Sequence, residues 1–183
     1  MPNQIVDWKH QVIDQADFYW DGYFFSRIQD LGDEEYFWEP VDNCWTVHPA
    51  DDGTFWLDIQ RHPAPDPEPF TTIAWRISHL IKVFGQRSSR QFGDNSFDGE
   101  KFQVFGTAKE AIAELVYRRT LWRDGLLALT DEELGRPTGP TEGRYENDPL
   151  ATLVMHVHRE FMHHGGEICL LRDLYRYRET LRA

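Results

Sequence analysis

A single apolar stripe along residues 150–175 constrains the fold more than any other feature of this sequence. Its members recur at three- and four-residue steps for more than seven helical turns: Leu150, Leu153, Val157, Phe161, Ile168, Leu171 and Tyr175. Pro149 suits the helix start, where the missing N–H costs nothing. No strand pattern of any length accompanies this helix, so its stripe must be buried against other helices.

Three further segments have helical periodicity, at residues 5–30, at residues 70–85 and from Thr107 onward. Gly85 predicts either a C-cap of the second helix or a kink in it. The third helix begins with Thr107 and Glu110, the spacing of a capping box. Together with the last helix, these segments predict an all-α four-helix bundle.

A long connection separates the first two helices. Residues 32–69 lack helical periodicity but contain many aromatic side chains, among them Phe37, Trp38, Trp45, Phe55 and Trp56. Such residues can pack as a lid over the ends of a bundle, so we expect an ordered connection with short turns or strands. The whole chain, 1–183, is predicted to be a single domain, since its length is that of one ordinary core.

Charge and targeting patterns exclude several classes of partner. The formal net charge of -12 opposes binding to nucleic acid and to anionic membrane surfaces, because both require a clustered positive field. The start of the chain has no signal-peptide pattern, and no run of about 18 apolar residues occurs, which predicts a cytoplasmic protein. Cys44 and Cys169 are the two cysteines, and their spacing indicates neither a disulfide framework nor a cysteine-based zinc site.

Glu160 and His164 are the residues in the last helix that most suggest chemistry. On a helical wheel both fall inside the apolar stripe, and their four-residue spacing places them on one face. A carboxylate in an apolar seam is costly unless it is paired or coordinates a metal ion. A buried polar pair is an equally weighted alternative, because Glu and His are common partners at this spacing.

Other histidines and one acid surround this pair. His156, His163 and Glu167 lie on the flank of the stripe and can orient metal ligands, whereas His158 is expected to point away into solvent. Two ligands from one helix leave a divalent ion underfilled, so a third must come from elsewhere. The outside histidines are His10, His48, His62 and His79, and periodicity alone does not select among them.

Three stretches together resemble the DinB/YfiT-like family: YFWEPVDNCWTV, TIAWRISHLIKVFGQR and REFMHHGGEICLLRDLY. The resemblance implies a four-helix bundle that holds a divalent metal ion, with His79 as the first ligand, Glu160 as the second and His164 as the third. The common family pattern has His at the position of Glu160. The resulting set of two histidines and one carboxylate suits zinc, nickel, iron or manganese. The family resemblance also suggests a homodimer.

The resemblance further implies an activity on a small-molecule substrate. Characterised family members resemble metal-dependent S-transferases that use a low-molecular-weight thiol such as mycothiol or bacillithiol, and one relative is an isomerase. His163 or Glu167 would then orient ligands or shuttle a proton. Two alternatives stay open: a metal-dependent hydrolase, in which the ion activates water, and a non-catalytic stress-response module that binds a small molecule.

Overall fold

Four long helices form the body of the protein. The structure, a computed structural model, describes residues 6–58, 63 and 65–181. The first long helix consists of α1 (Trp8–Tyr19), a π-helical segment (Trp20–Phe24) and α2 (Phe25–Ile28), and the others are α4 (Ile73–Phe92), α5 (Ala108–Ala128) and α6 (Leu150–Arg176). α4 packs against both α5 and α6, and α1 contacts the same two helices. The predicted all-α bundle is confirmed.

The long connection is ordered in its described part. It contains α3 (Asp33–Tyr36) and an antiparallel hairpin of β1 (Val47–Pro49) and β2 (Phe55–Leu57). Trp45 ties this hairpin to the beginning of α4, since its N–H donates to the Phe70 carbonyl at 2.8 Å and its carbonyl accepts from the Thr72 N–H at 3.0 Å. The hairpin is therefore held beside the first turns of α4.

The remaining elements are short. Two 3₁₀ helices, Glu132–Gly135 and Pro140–Tyr145, connect α5 to α6, and α7 (Arg178–Leu181) follows α6. Within the described ranges, no helix is both long and apolar enough to cross a membrane.

Capping residues set two helix starts, and a glycine allows one helix to continue. Thr107 accepts from the Glu110 N–H at 3.3 Å, as the capping box predicts, and Thr72 caps α4 in the same way through the Trp75 N–H at 3.2 Å. The prediction that Gly85 ends or kinks the second helix is wrong, because α4 runs on to Phe92. A Cβ at Gly85 would lie 2.6 Å from the ring of Phe97, so the glycine makes room for that ring.

The expectation that His158 faces solvent is also wrong. His158 is 7% exposed, and its Nε2 accepts from the Trp122 indole N–H at 3.2 Å. The apolar stripe is wider than the wheel indicates, because α5 and α1 cover α6 on this side. Burial is the main reason that the pKa of His158 falls to about 4, with the charge of Arg119 as a smaller cause.

This histidine should make stability depend on pH. Its native pKa of about 4 lies below the ordinary 6.5, so the unfolded chain binds more protons between these values. The contribution, on the order of 3 kcal/mol, should be fully present above pH 6.5 and be lost as the pH falls through about 4. Urea unfolding of the wild type and of His158→Gln at several pH values across this range measures how the free energy of unfolding changes with pH in each protein. The exposed control His10→Gln should keep the wild-type dependence, and equal slopes in all three proteins would contradict the assignment.

Candidate metal centre

Three side chains from two helices converge at one point. His79 comes from α4, and Glu160 and His164 come from α6. Glu160 Oε2 lies 3.6 Å from His79 Nε2 and 3.7 Å from His164 Nε2. One ligand atom from each residue lies within 4.8 Å of the other two, a spacing that can hold a metal ion. The bundle thus places the three residues named from the family resemblance at one locus.

The site lies at the edge of the apolar stripe and not inside it. The most buried positions of α6 include Val157, Phe161 and Ile168, whereas the side chains of Glu160 and His164 keep 25% and 14% exposure. The wheel placed the pair too deep, because the centre of the buried face lies nearer Phe161. This edge faces α4, which explains how both residues can meet His79.

The pKa values of both α6 residues are lowered, which favours the charged form of Glu160 and the neutral form of His164. The imidazole of His79 is the main cause that lowers the pKa of Glu160 to about 2, helped by the charges of His156 and His164 and opposed by burial. Burial is the main cause that lowers the pKa of His164 to about 3, followed by the charges of His79 and Arg76. At neutral pH the carboxylate is therefore ionised and the imidazole neutral, which are the forms that bind cations.

Glu167 and Arg76 orient the ring of His164. His164 Nδ1 lies 2.7 Å from Glu167 Oε2, and the same oxygen pairs with the guanidinium of Arg76, a residue that is 7% exposed. Because the ionised carboxylate only accepts, His164 donates from Nδ1 and carries its lone pair on Nε2. That nitrogen faces Glu160 and His79.

His79 is held by an aromatic neighbour. Its ring stacks on Trp75 with a centroid distance of 5.2 Å and an interplanar angle of 7°, and the Trp75 indole N–H is anchored by donation to the Asp58 carbonyl at 2.9 Å. His79 Nε2 is buried and has no hydrogen-bond partner among the described residues. A buried nitrogen that faces a carboxylate without such a bond is what a metal ligand would show without its ion, so the donor set fits a divalent cation.

A second grouping of His163, His164 and Glu167 is less suited to a cation. His163 Nε2 lies 3.4 Å from Glu167 Oε1, but its side chain is 63% exposed. The guanidinium of Arg76 sits on Glu167 and would repel an ion there. The arrangement favours an orienting role for Glu167 and a position near the solvent for His163.

The other histidines lie elsewhere. His156 Nδ1 is 3.7 Å from Glu160 Oε1, on the side of the carboxylate that faces away from His79. His48 pairs with Asp58 at 2.8 Å, His10 is exposed, and His62 lies outside the described residues. Among the described candidates for the third ligand, only His79 meets the α6 pair.

Sequence reasoning missed two supporting residues. Arg76 and Trp75 act through Glu167 and His79, and their positions three and four residues before His79 carry no signal that separates them from ordinary core residues. Only the packing of α4 on α6 and of the hairpin on α4 gives them these roles.

Comparison with known proteins gives a match to one family model. Neither the curated proteins nor the solved structures include a significant match to the chain. The model of the DinB superfamily matches residues 22–168, which include α4, α5 and all three converging side chains. The match covers most of the sequence, and the chain therefore belongs to the DinB superfamily.

Proposed function

We propose that this protein binds one divalent metal ion through His79, Glu160 and His164 and acts as a thiol-dependent S-transferase or isomerase on a small electrophile. The convergence of the three ligand atoms within 4.8 Å carries the proposal, together with the buried nitrogen of His79, which has no hydrogen-bond partner among the described residues. Superfamily membership supports it, since the DinB superfamily is generally metal-binding.

Each residue of the site has its own role in the proposed reaction. A bound divalent ion lowers the pKa of a coordinating thiol and supplies a nucleophilic thiolate at neutral pH. His79, Glu160 and His164 would hold the ion and leave one side of it open to a small molecule. Glu167 and Arg76 fix the ring of His164, and Trp75 shields His79 from water. The exposed His163, beside Glu167, would pass the thiol proton to solvent.

The ligand set bears on which metal is bound. Two imidazoles and one carboxylate suit zinc, iron, nickel or manganese, and the carboxylate in place of a third imidazole favours the harder ions of this group. Metal analysis of protein purified without chelator decides among them.

A turnover assay tests the activity. Chlorodinitrobenzene and a small thiol serve as probes: a carbon–sulfur bond forms, chloride leaves with the carbon–chlorine electron pair, and the thiol proton passes to the buffer. We expect turnover at least about 100-fold above the uncatalysed rate, which is modest for an enzyme, only when metal and thiol are both present. The metal-free protein is the control. Turnover that needs metal but no added thiol, on an ester probe, would replace the transferase with the hydrolase.

A further inference from the structure

A cavity of 420 Å³ lies along the α4–α6 seam beside the candidate metal centre. Its size is within the range of small-molecule sites. The lining includes side chains of α4, of α6 and of the loop between α5 and α6: Arg87, Thr138, Tyr145, Thr152, His156 and Arg159.

Two side chains of the cavity wall approach the candidate metal centre at Glu160. His156 Nδ1 and Arg159 Nη2, both in the cavity wall, lie 3.7 and 3.9 Å from Glu160 Oε1. The other carboxylate oxygen of Glu160 faces His79 and His164. A ligand that reaches from the cavity to the metal centre must therefore span about one turn of α6, roughly 6 Å.

Guanidinium groups are as numerous as carboxylates in and around the cavity. The side chain of Glu142, which is 2% exposed, is shared by two guanidinium groups, since Arg87 pairs with it and Arg90 lies 3.5 Å away. Asp148 is the other acid in the lining, and Arg159 is a third cation with 71% side-chain exposure. Glu160, whose Oε1 lies 3.9 Å from Arg159, is the third carboxylate, so three guanidinium groups face three carboxylates here in a chain of net charge -12.

Arg159 is held at the mouth of the cavity. Its Nη2 donates to His156 Nδ1 at 2.6 Å, which joins two side chains of the cavity wall. The Arg159 side chain is 71% exposed, so a ligand can reach its N–H groups, and the Glu160 carboxylate lies 3.9 Å from its Nη2. A planar guanidinium with free N–H groups is suited to a carboxylate or phosphate.

We infer that this cavity binds an anionic tail, a carboxylate or phosphate, of the small molecule whose sulfur reaches the metal centre, with Arg159 as the recognition residue. The inference rests on the proposed function and adds the class of thiol that it uses. Arg87 adds a guanidinium from the α4 side, but it is also the partner of buried Glu142. Arg159 is therefore the residue to change.

Two matched thiols test this specificity. Mercaptohexanoate and mercaptohexanol, each with its thiol at the far end of the chain, differ only in the carboxylate. Each is titrated into cobalt-loaded protein, and the sulfur-to-cobalt charge-transfer absorption reports binding. We expect the carboxylate to tighten binding about tenfold and Arg159→Gln to reduce that preference to about twofold or less. Mercaptohexanol should bind both proteins equally.

A control on the same helix separates local recognition from general charge. Arg176→Gln removes the same charge from a side chain near the end of α6 that is 56% exposed, and it should keep the wild-type preference. Equal affinity for the two thiols in the wild type, or a preference that survives Arg159→Gln, would overturn the anionic subsite and leave the thiol chemistry standing. Absence of the absorption with both thiols would overturn the proposed function and the subsite with it.

Discussion

Replacing His164 with alanine is expected to reduce bound metal from about one ion per chain to nearly none. The substitution removes one of three ligands and leaves Glu160 and His79 with too few donors for tight binding. The expected loss of affinity exceeds the 10–100-fold that removal of an orienting partner costs. Elemental analysis of protein purified without chelator measures the bound metal. A competition titration with a metal indicator measures the affinity.

Neighbouring substitutions give this experiment a graded control. Glu167→Gln should weaken metal binding by about 10–100-fold, because Glu167 orients His164 without a place in the ligand set. His163→Ala removes the adjacent exposed imidazole and should retain the metal. Equal metal loss in His163→Ala and His164→Ala would contradict the ligand assignment. An ion-free wild type that also fails to take up added zinc, nickel, iron or manganese would contradict the site itself.

Removing the guanidinium of Arg172 should cause a large loss of stability. Arg172 is 4% exposed on α6, and its Nε and Nη2 donate to the two carboxylate oxygens of Glu35 at 2.8 and 3.0 Å. The same guanidinium donates to Asp30 at 2.7 Å and to the Arg27 carbonyl. These contacts tie the C-terminal half of α6 to α3 and to the end of the first long helix.

Arg172→Met should lower the free energy of unfolding by about 3–5 kcal/mol, because it leaves the carboxylate of Glu35 buried without its partner. For a chain of this length that corresponds to a melting temperature lower by roughly 10 °C. Calorimetry or thermal circular dichroism measures the change. The exposed control Arg176→Met should change it little.

A second variant shows whether the unpaired carboxylate of Glu35 or lost packing causes this destabilisation. The double variant Arg172→Met, Glu35→Leu removes both charges and should recover most of the stability, since an apolar pair can replace a buried ion pair at little cost. A double variant no more stable than Arg172→Met would show that lost packing, not the unpaired carboxylate, causes the effect.

Features set by local chemistry were predictable from the sequence. The capping box of Thr107 and Glu110 and the three- to four-residue periodicity of α6 identify helices without reference to the rest of the chain. Gly85 shows the limit of this reasoning. A glycine looks like a helix end from propensity, but here it admits the ring of Phe97 against a helix that continues.

The candidate site was only partly predictable. The spacing of Glu160 and His164 is a property of one helix, and the sequence therefore identifies that pair. His79 was named through family resemblance, because nothing in the periodicity of its own helix indicates that it faces α6. His158 was misplaced for a related reason: a wheel describes one helix and cannot show how far a neighbour covers it.

By itself, therefore, the sequence determined that four helices form and that Glu160 and His164 share one helix face, since each follows from contacts within a few residues. The tertiary structure alone decided that His79 meets this pair, that Arg76 pairs with Glu167, and that a cavity with Arg87 and Arg159 in its wall lies near Glu160. These relations join residues far apart in the chain, and the packing of α4 against α6 sets which side chains face each other.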